Sequence, residues 1–169
     1  EPTGIWWEKS IRYLTLNKVV APNRIFGNSL THFAHKADVL RLEILKEWGG
    51  IYLDMDVICI NSFKPLLSNP CVMGLEAKNR LCNAVILARS TSKFLSIWYD
   101  NYKNFNDKEW NYHSVILPFL LAKENPDLIK VENRSSFFYP YYNELVSDYL
   151  WKKEIASNVK YNAIRKYML

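Results

Sequence analysis

The chain reads as an α/β layered domain with a mostly parallel sheet flanked by helices. Three observations predict this. Segments with apolar residues at helical spacing alternate with short apolar runs of strand length, the pattern that lays helices on the faces of a sheet. The 169 residues suffice for one sizeable core and hardly for two. No stretch reaches the ~20 apolar residues of a membrane span, and no repeat or low-complexity segment suggests another architecture.

Residues 5–14 predict a short amphipathic helix anchored by Trp6, Trp7 and Leu14. Val19-Val20 is a strand candidate ended by Pro22, and residues 21–33, with Pro22, Asn23, Gly27 and Asn28 as breakers, read as a loop. The clearest helix covers 34–48, where Ala37, Leu40, Ile44 and Trp48 recur at helical spacing. Gly49-Gly50 stops it, because glycine tolerates the left-handed backbone of a helix end. Ile51-Tyr52-Leu53 then reads as a short buried strand leading into Asp54, with Val57 to Ile60 continuing it. Further strands are predicted at Val72 to Glu76, Ala84 to Ala88 and Leu128 to Val131. A helix over 92–104 carries Phe94, Trp98 and Tyr102 on one face, with capping residues from Ser90 to Ser92. Another spans 113–124 and stops before Pro126, and the tail from 144 reads as helical.

A net charge of +5 suits a field that attracts a diphosphate, and it equally suits a lysine-rich solubility surface. The basic residues are scattered, which excludes a nucleic-acid stripe. Aromatic residues make up 15% of the chain, enough to line surfaces that stack on ligands as well as a core. Cys59, Cys71 and Cys82 form an odd set without CxxC spacing, against zinc and against a dense disulfide framework, with one bridge left open. There is no secretory signal pattern. Glu1-Pro2-Thr3-Gly4 runs abruptly into Ile5-Trp6-Trp7, so residues are expected to be missing upstream, with room for an anchor or targeting segment.

The chemistry concentrates in Gly49-Gly50-Ile51-Tyr52-Leu53-Asp54-Met55-Asp56. Ligands of open α/β sheets bind beyond the carboxyl ends of strands. Two carboxylates there, one residue apart, cannot both be buried without a cation. A hard divalent ion takes such oxygen ligands and shares them with substrate phosphates. A bare DxD also occurs on solvated strand ends. Asp38 and Arg41, three apart, share one helix face. They form either a plain ion pair or a pair facing the same cleft, with Arg41 binding a phosphate or sugar hydroxyl and Asp38 accepting from the sugar.

The run from His35-Lys36-Ala37-Asp38-Val39-Leu40-Arg41 through Gly49-Gly50 to Asp54-Met55-Asp56-Val57 resembles the DXD-containing sugar transferases of glycosyltransferase family 32. Asn83 to Ala88 followed by Phe94-Leu95 is similar to that family's Asn-led strand before a helix. Trp110 to Val115 and Phe138-Tyr139-Pro140 resemble a eukaryotic or large-virus branch, and the likeness covers about residues 3–142.

The resemblance implies a GT-A (Rossmann-like) fold over residues 1–169 as a single catalytic domain, truncated at its N-terminus. It implies a nucleotide-diphosphate sugar donor (UDP-glucose, UDP-galactose, UDP-GlcNAc or GDP-mannose, with UDP-sugars favoured), Mn²⁺ or Mg²⁺, and retention of anomeric configuration. By position, Asp56 would hold the metal and Asp54 the ribose or a metal-bound water. Asp38 and Arg41 would hold the donor sugar and phosphate, with Gly50 and Tyr52 in the donor-binding segment and Asn83 near the transferred sugar. His113 would add a diphosphate or metal contact. The acceptor would be a hydroxyl on a glycan or glycoprotein. The Golgi lumen or virus-infected host cytoplasm would be the leading locations.

The chain departs from the family in two places. Residues 1–20 lack the first strand of the type Ile-Pro-Lys-x-Ile-His-x-x-Trp, and Tyr161 to Leu169 lack the C-terminal His/Trp segment. Two other readings remain. One is a non-catalytic carbohydrate- or partner-binding domain of the same fold. The other is a haloacid-dehalogenase-type phosphohydrolase with Asp54 as nucleophile, for which only isolated downstream acids such as Asp148 are present.

Overall fold

In the computed structural model, residues 3–138 are described. Their order is α1 (Ile5–Ser10), β1 (Arg24–Ile25), β2 (Asn28–Ser29), α2 (Phe33–Trp48), β3 (Gly50–Leu53), β4 (Cys71–Ala77), β5 (Arg80–Ala88), α3 (Lys93–Asp100), α4 (Leu117–Glu124), β6 (Lys130–Glu132) and α5 (Arg134–Phe137). The sheet order is β3-β5-β4-β6.

The architecture is mixed α/β, as the alternation of patterns predicts, but the sheet is not mostly parallel. β3 and β4 each pair antiparallel with β5, and only β4 and β6 run parallel. The reason is local. Ala77 pairs with Arg80, so two residues, Lys78 and Asn79, join β4 to β5, and a link that short can only reverse the chain. The one parallel pair has the long crossover that such pairing needs, through α3 and α4.

Alternation along the central strands feeds two cores. Cys71, Met73, Ile86 and Ala88 face α2, α3 and α4, where Val39, Leu42, Phe94, Leu95 and Trp98 complete the larger one. Val72, Val85 and Leu87 face the other way, against Val57, Phe63, Leu66 and Phe137. Burial on both faces explains why these strands read as unbroken apolar runs.

Several expectations are corrected. The stripe Ala37-Leu40-Ile44-Trp48 is not the buried one: Trp48 is 74% exposed, while His35, Asp38, Val39, Arg41, Leu42 and Leu45 are buried. β3 is an edge strand, and Ile51 and Leu53 are exposed. Val57 to Ile60 form no strand. Trp6 and Leu14 are exposed and anchor nothing, and Val19-Val20 is irregular. The supposed loop 21–33 instead holds the β1–β2 hairpin, turned at Phe26-Gly27 with positive φ at both residues (47° and 87°), as a two-residue type I′ turn requires. Helix 92–104 is α3 followed by a 3₁₀ turn at Asn101–Asn104, and Ser92 caps it by accepting from the Leu95 amide at 3.3 Å. A π-helical turn at Tyr112–Ile116 precedes α4. All three cysteines are free. The tail from 144 lies outside the described residues.

Gly49 closes α2 with φ 67°, its amide bonding Leu45 O at 2.9 Å. A Cβ there would stand 2.8 Å from Ser90 N and 3.1 Å from Ala88 O, all backbone. Gly49→Ala is expected to cost about 1–3 kcal/mol, read as a lower urea midpoint. At Gly50 a Cβ meets open space, so Gly50→Ala carries only the backbone strain of its φ of 111° and costs less.

Candidate active site at the Asp54–Asp56 turn

β3 ends at Leu53, and the chain then turns. Asp54 keeps its amide on Ala84 O at 2.8 Å, and Val57 N closes the turn on Asp54 O at 3.1 Å. Met55 and Asp56 sit at the exposed tip. Asp54 is therefore tied to the sheet, while Asp56 presents its carboxylate to solvent.

Behind the turn lies a hydrogen-bonded cluster drawn from three elements. Arg41 on α2 reaches Asp38 Oδ1 with Nη2 and Asp54 Oδ1 with Nη1, each at 3.2 Å. Its Nη1 also donates to Asn83 O at 2.7 Å, and Nε donates to Ala37 O at 3.3 Å. Its guanidinium lies 4.6 Å from the Tyr52 ring centroid. Asn83 Nδ2 donates to Asp38 Oδ1 at 2.7 Å, and Tyr52 donates its hydroxyl proton to Asp54 Oδ1 at 2.6 Å.

Burial raises the Asp38 carboxyl above its ordinary range, opposed by Arg41 and by the Asn83 and Ser114 side chains. Burial and donation to Asp54 push Tyr52 up to about 12, so it remains a donor.

The i,i+3 ion pair of Asp38 and Arg41 forms, and it faces the DxD turn. Arg41 is buried and most of its N–H groups are spent on the cluster, which makes it a positioner of the two carboxylates in this arrangement.

The Asp38 and Asp54 carboxylates share one guanidinium, and the exposed Asp56 adds a third carboxylate on the turn, which leaves surplus negative charge for a cation. No group of three or more His, Cys, Asp and Glu among the described residues could hold a metal alone. One oxygen of Asp54 is already occupied. What remains, the Asp56 carboxylate and the second Asp54 oxygen, is too little for a protein cage. It fits a hard ion that takes one or two carboxylates and completes its shell with water and phosphate.

The structure brings Asp38, Arg41, Tyr52, Asp54 and Asn83 together, with Asp56 adjoining on the turn. Gly50 lies at the far end of β3, about 13 Å from Asp54 by strand rise. His113 is buried, and its ring contacts are with Tyr102, Phe105 and Tyr112. Burial lowers its pKa.

Sequence reasoning missed the clamp beside the cluster. Thr31 and His35 both bind Asp107, His35 Nδ1 at 2.8 Å, and His35 Nε2 faces Trp110 O at 3.2 Å. Thr31 and His35 hold the Asp107 carboxyl down at about 2. These pairs span more than seventy residues of chain, and no local signal marks them.

The site is thus an acidic turn at a strand end, backed by a buried Asp–Arg–Asn cluster. The chain resembles the DXD-containing glycosyltransferases, residues 5–73 matching the family described as a glycosyltransferase sugar-binding region containing a DXD motif. Glucan organizing enzyme 1 of Cryptococcus neoformans is 42% identical over 149 residues, 82% of this chain and 41% of that protein. Inositol phosphoceramide mannosyltransferase 3 of Schizosaccharomyces pombe is 34% identical over 51% of this chain and 23% of its own length. Subversion of eukaryotic traffic protein A of Legionella pneumophila is 38% identical over 35% of this chain and 10% of its own length. The matched region spans less than half the length of each of these relatives. No solved structure matches the chain. Among the described residues, no helix is long and apolar enough to cross a membrane.

Proposed function

We propose that this chain carries the donor site of a GT-A-type glycosyltransferase that moves a hexose from a nucleotide-diphosphate sugar to a hydroxyl of a glycan or glycoprotein, with retention. The observation that carries the reading is that Arg41 joins Asp38, Asn83 and Asp54 directly behind the exposed Asp56.

Each residue then has a task. Asp56 holds the divalent ion from the turn, Asp54 orients toward the ribose side, and Asp38 and Asn83 face the donor sugar as hydrogen-bonding groups. Arg41 fixes the spacing of the two carboxylates. Mn²⁺ or Mg²⁺ bound there would neutralise the leaving diphosphate. UDP-sugars are the first candidates. The mannosyltransferase name of one relative supports keeping GDP-mannose beside them.

The test is a calorimetric titration of UDP-glucose, UDP-galactose, UDP-GlcNAc and GDP-mannose, each with and without Mn²⁺. One of them is expected to bind only, or at least about tenfold more tightly, with the metal. No metal-dependent binding by any of the four sinks the reading.

A further inference from the structure

A second cleft, of about 620 Å³, opens beside the donor cluster, lined by Asn101, Asn104, Glu109, Trp110, Asn111 and Tyr112. Its composition is unusual for a surface that only meets water. Trp110 is 65% exposed and Tyr112 37%. The Asn104 and Asn111 side-chain amides have no hydrogen-bond partner among the described residues, and Asn101 uses only its Nδ2, on Ile97 O at 2.8 Å. The buried His113 also lines the cleft, and its Nδ1 makes no well-formed hydrogen bond. Flat aromatic faces beside unspent amides and the Glu109 carboxylate, whose Oε1 accepts from Asn106 at 3.3 Å, are what a pyranose needs. Its C–H face packs on an aromatic ring while its hydroxyls take both donors and acceptors.

The cleft is also held in place against the donor cluster. His35 Nε2 faces Trp110 O at 3.2 Å, and His35 lies one helical turn before Asp38 on α2. Ser114, two residues after Tyr112, acts on the Asp38 carboxylate through its hydroxyl. The indole ring meets His32 and His35 at centroid distances of 6.0 and 5.6 Å, so α2 sets its orientation. The segment from Trp110 to Ser114 thus bridges the cleft and the residue assigned above to the donor sugar.

We infer that this cleft is a saccharide subsite, with Trp110 as its stacking platform, which seats a neutral pyranose of the glycan acceptor next to the donor sugar. The acceptor role rests on the transferase reading. The saccharide site does not.

The test uses the whole chain without metal or nucleotide. Mannotriose, laminaritriose and maltotriose are titrated separately, reading tryptophan fluorescence and saturation-transfer NMR. At least one trisaccharide is expected to receive saturation, and Trp110→Ala to weaken it about tenfold or more, with Trp110→Phe retaining most of the affinity. The melting temperature of Trp110→Ala should stay close to the parent's, because the ring is mostly exposed. Tyr112→Ala supplies a second, independent variant. Absence of saturation transfer to all three sugars overturns the proposal, as does undiminished binding in both alanine variants. Trisaccharide binding without metal-dependent donor binding would leave the subsite standing and remove the transferase reading. Donor binding without trisaccharide binding would do the reverse.

Discussion

Asp56→Ala is expected to lower sugar transfer by about 10³-fold or more while leaving the fold unchanged. Asp56 is exposed at the tip of the turn and ties no element to another, so its removal shifts stability by no more than about 0.5 kcal/mol. Its only large contribution would be to a cation, and a metal that stabilises a leaving diphosphate accounts for several kcal/mol of transition-state charge. Thermal melting separates the two effects. With Mn²⁺ and a bound donor at about 100 times its dissociation constant, the parent gains about 2.7 kcal/mol, and Asp56→Ala gains little. Equal activity in parent and variant would remove the turn from the mechanism.

Arg41→Met is expected to have the largest effect on stability. The side chain is buried and carries the only cation that reaches Asp38 and Asp54 among the described residues. Removing one partner of a buried ion pair leaves an uncompensated charge, at a cost of about 3–5 kcal/mol, or a fall of about 10 °C in Tm for a domain this size.

The loss should depend on pH with a definite sign. Asp38 is already raised in the folded parent by burial, and without Arg41 its folded pKa rises further above the unfolded value. A raised carboxyl contributes stability below its unfolded pKa and loses it as the pH climbs. The gap between parent and Arg41→Met therefore widens as the pH rises through the parent's own raised Asp38 pKa, and stops growing above the variant's higher one. Urea midpoints across a pH series measure it, and a gap that narrows with rising pH would contradict the account.

The parts of this fold legible in the sequence are those governed by local spacing. Asp38 and Arg41 at i,i+3, the glycine stop after Trp48, the Ser92 cap and the Phe94–Trp98–Tyr102 face all follow from helical geometry. Strand direction did not follow, because apolar runs report burial and not orientation. It was the two-residue Lys78-Asn79 link that reversed the chain.

The misread face of α2 has a different cause. Its buried stripe includes His35, Asp38 and Arg41, polar residues that a hydrophobic pattern assigns to water. They are inside because Asp107, Asn83 and Asp54, far along the chain, supply their partners. The same non-locality hid the Thr31–Asp107–His35 clamp. Trp110 stands in the sequence only as the start of the Trp110–Val115 resemblance, and its exposure is visible only in the fold.

The central claim is that the Asp54–Asp56 turn holds a divalent ion shared with a nucleotide diphosphate. Calorimetric titration of Mn²⁺ into the parent and into Asp56→Ala, each with and without UDP, tests it most directly. The account predicts that Mn²⁺ binds the parent at least about tenfold more tightly when UDP is present, since the protein supplies only part of the coordination shell, and that Asp56→Ala loses this binding. Mn²⁺ binding to Asp56→Ala as tight as to the parent, with UDP present, would contradict it.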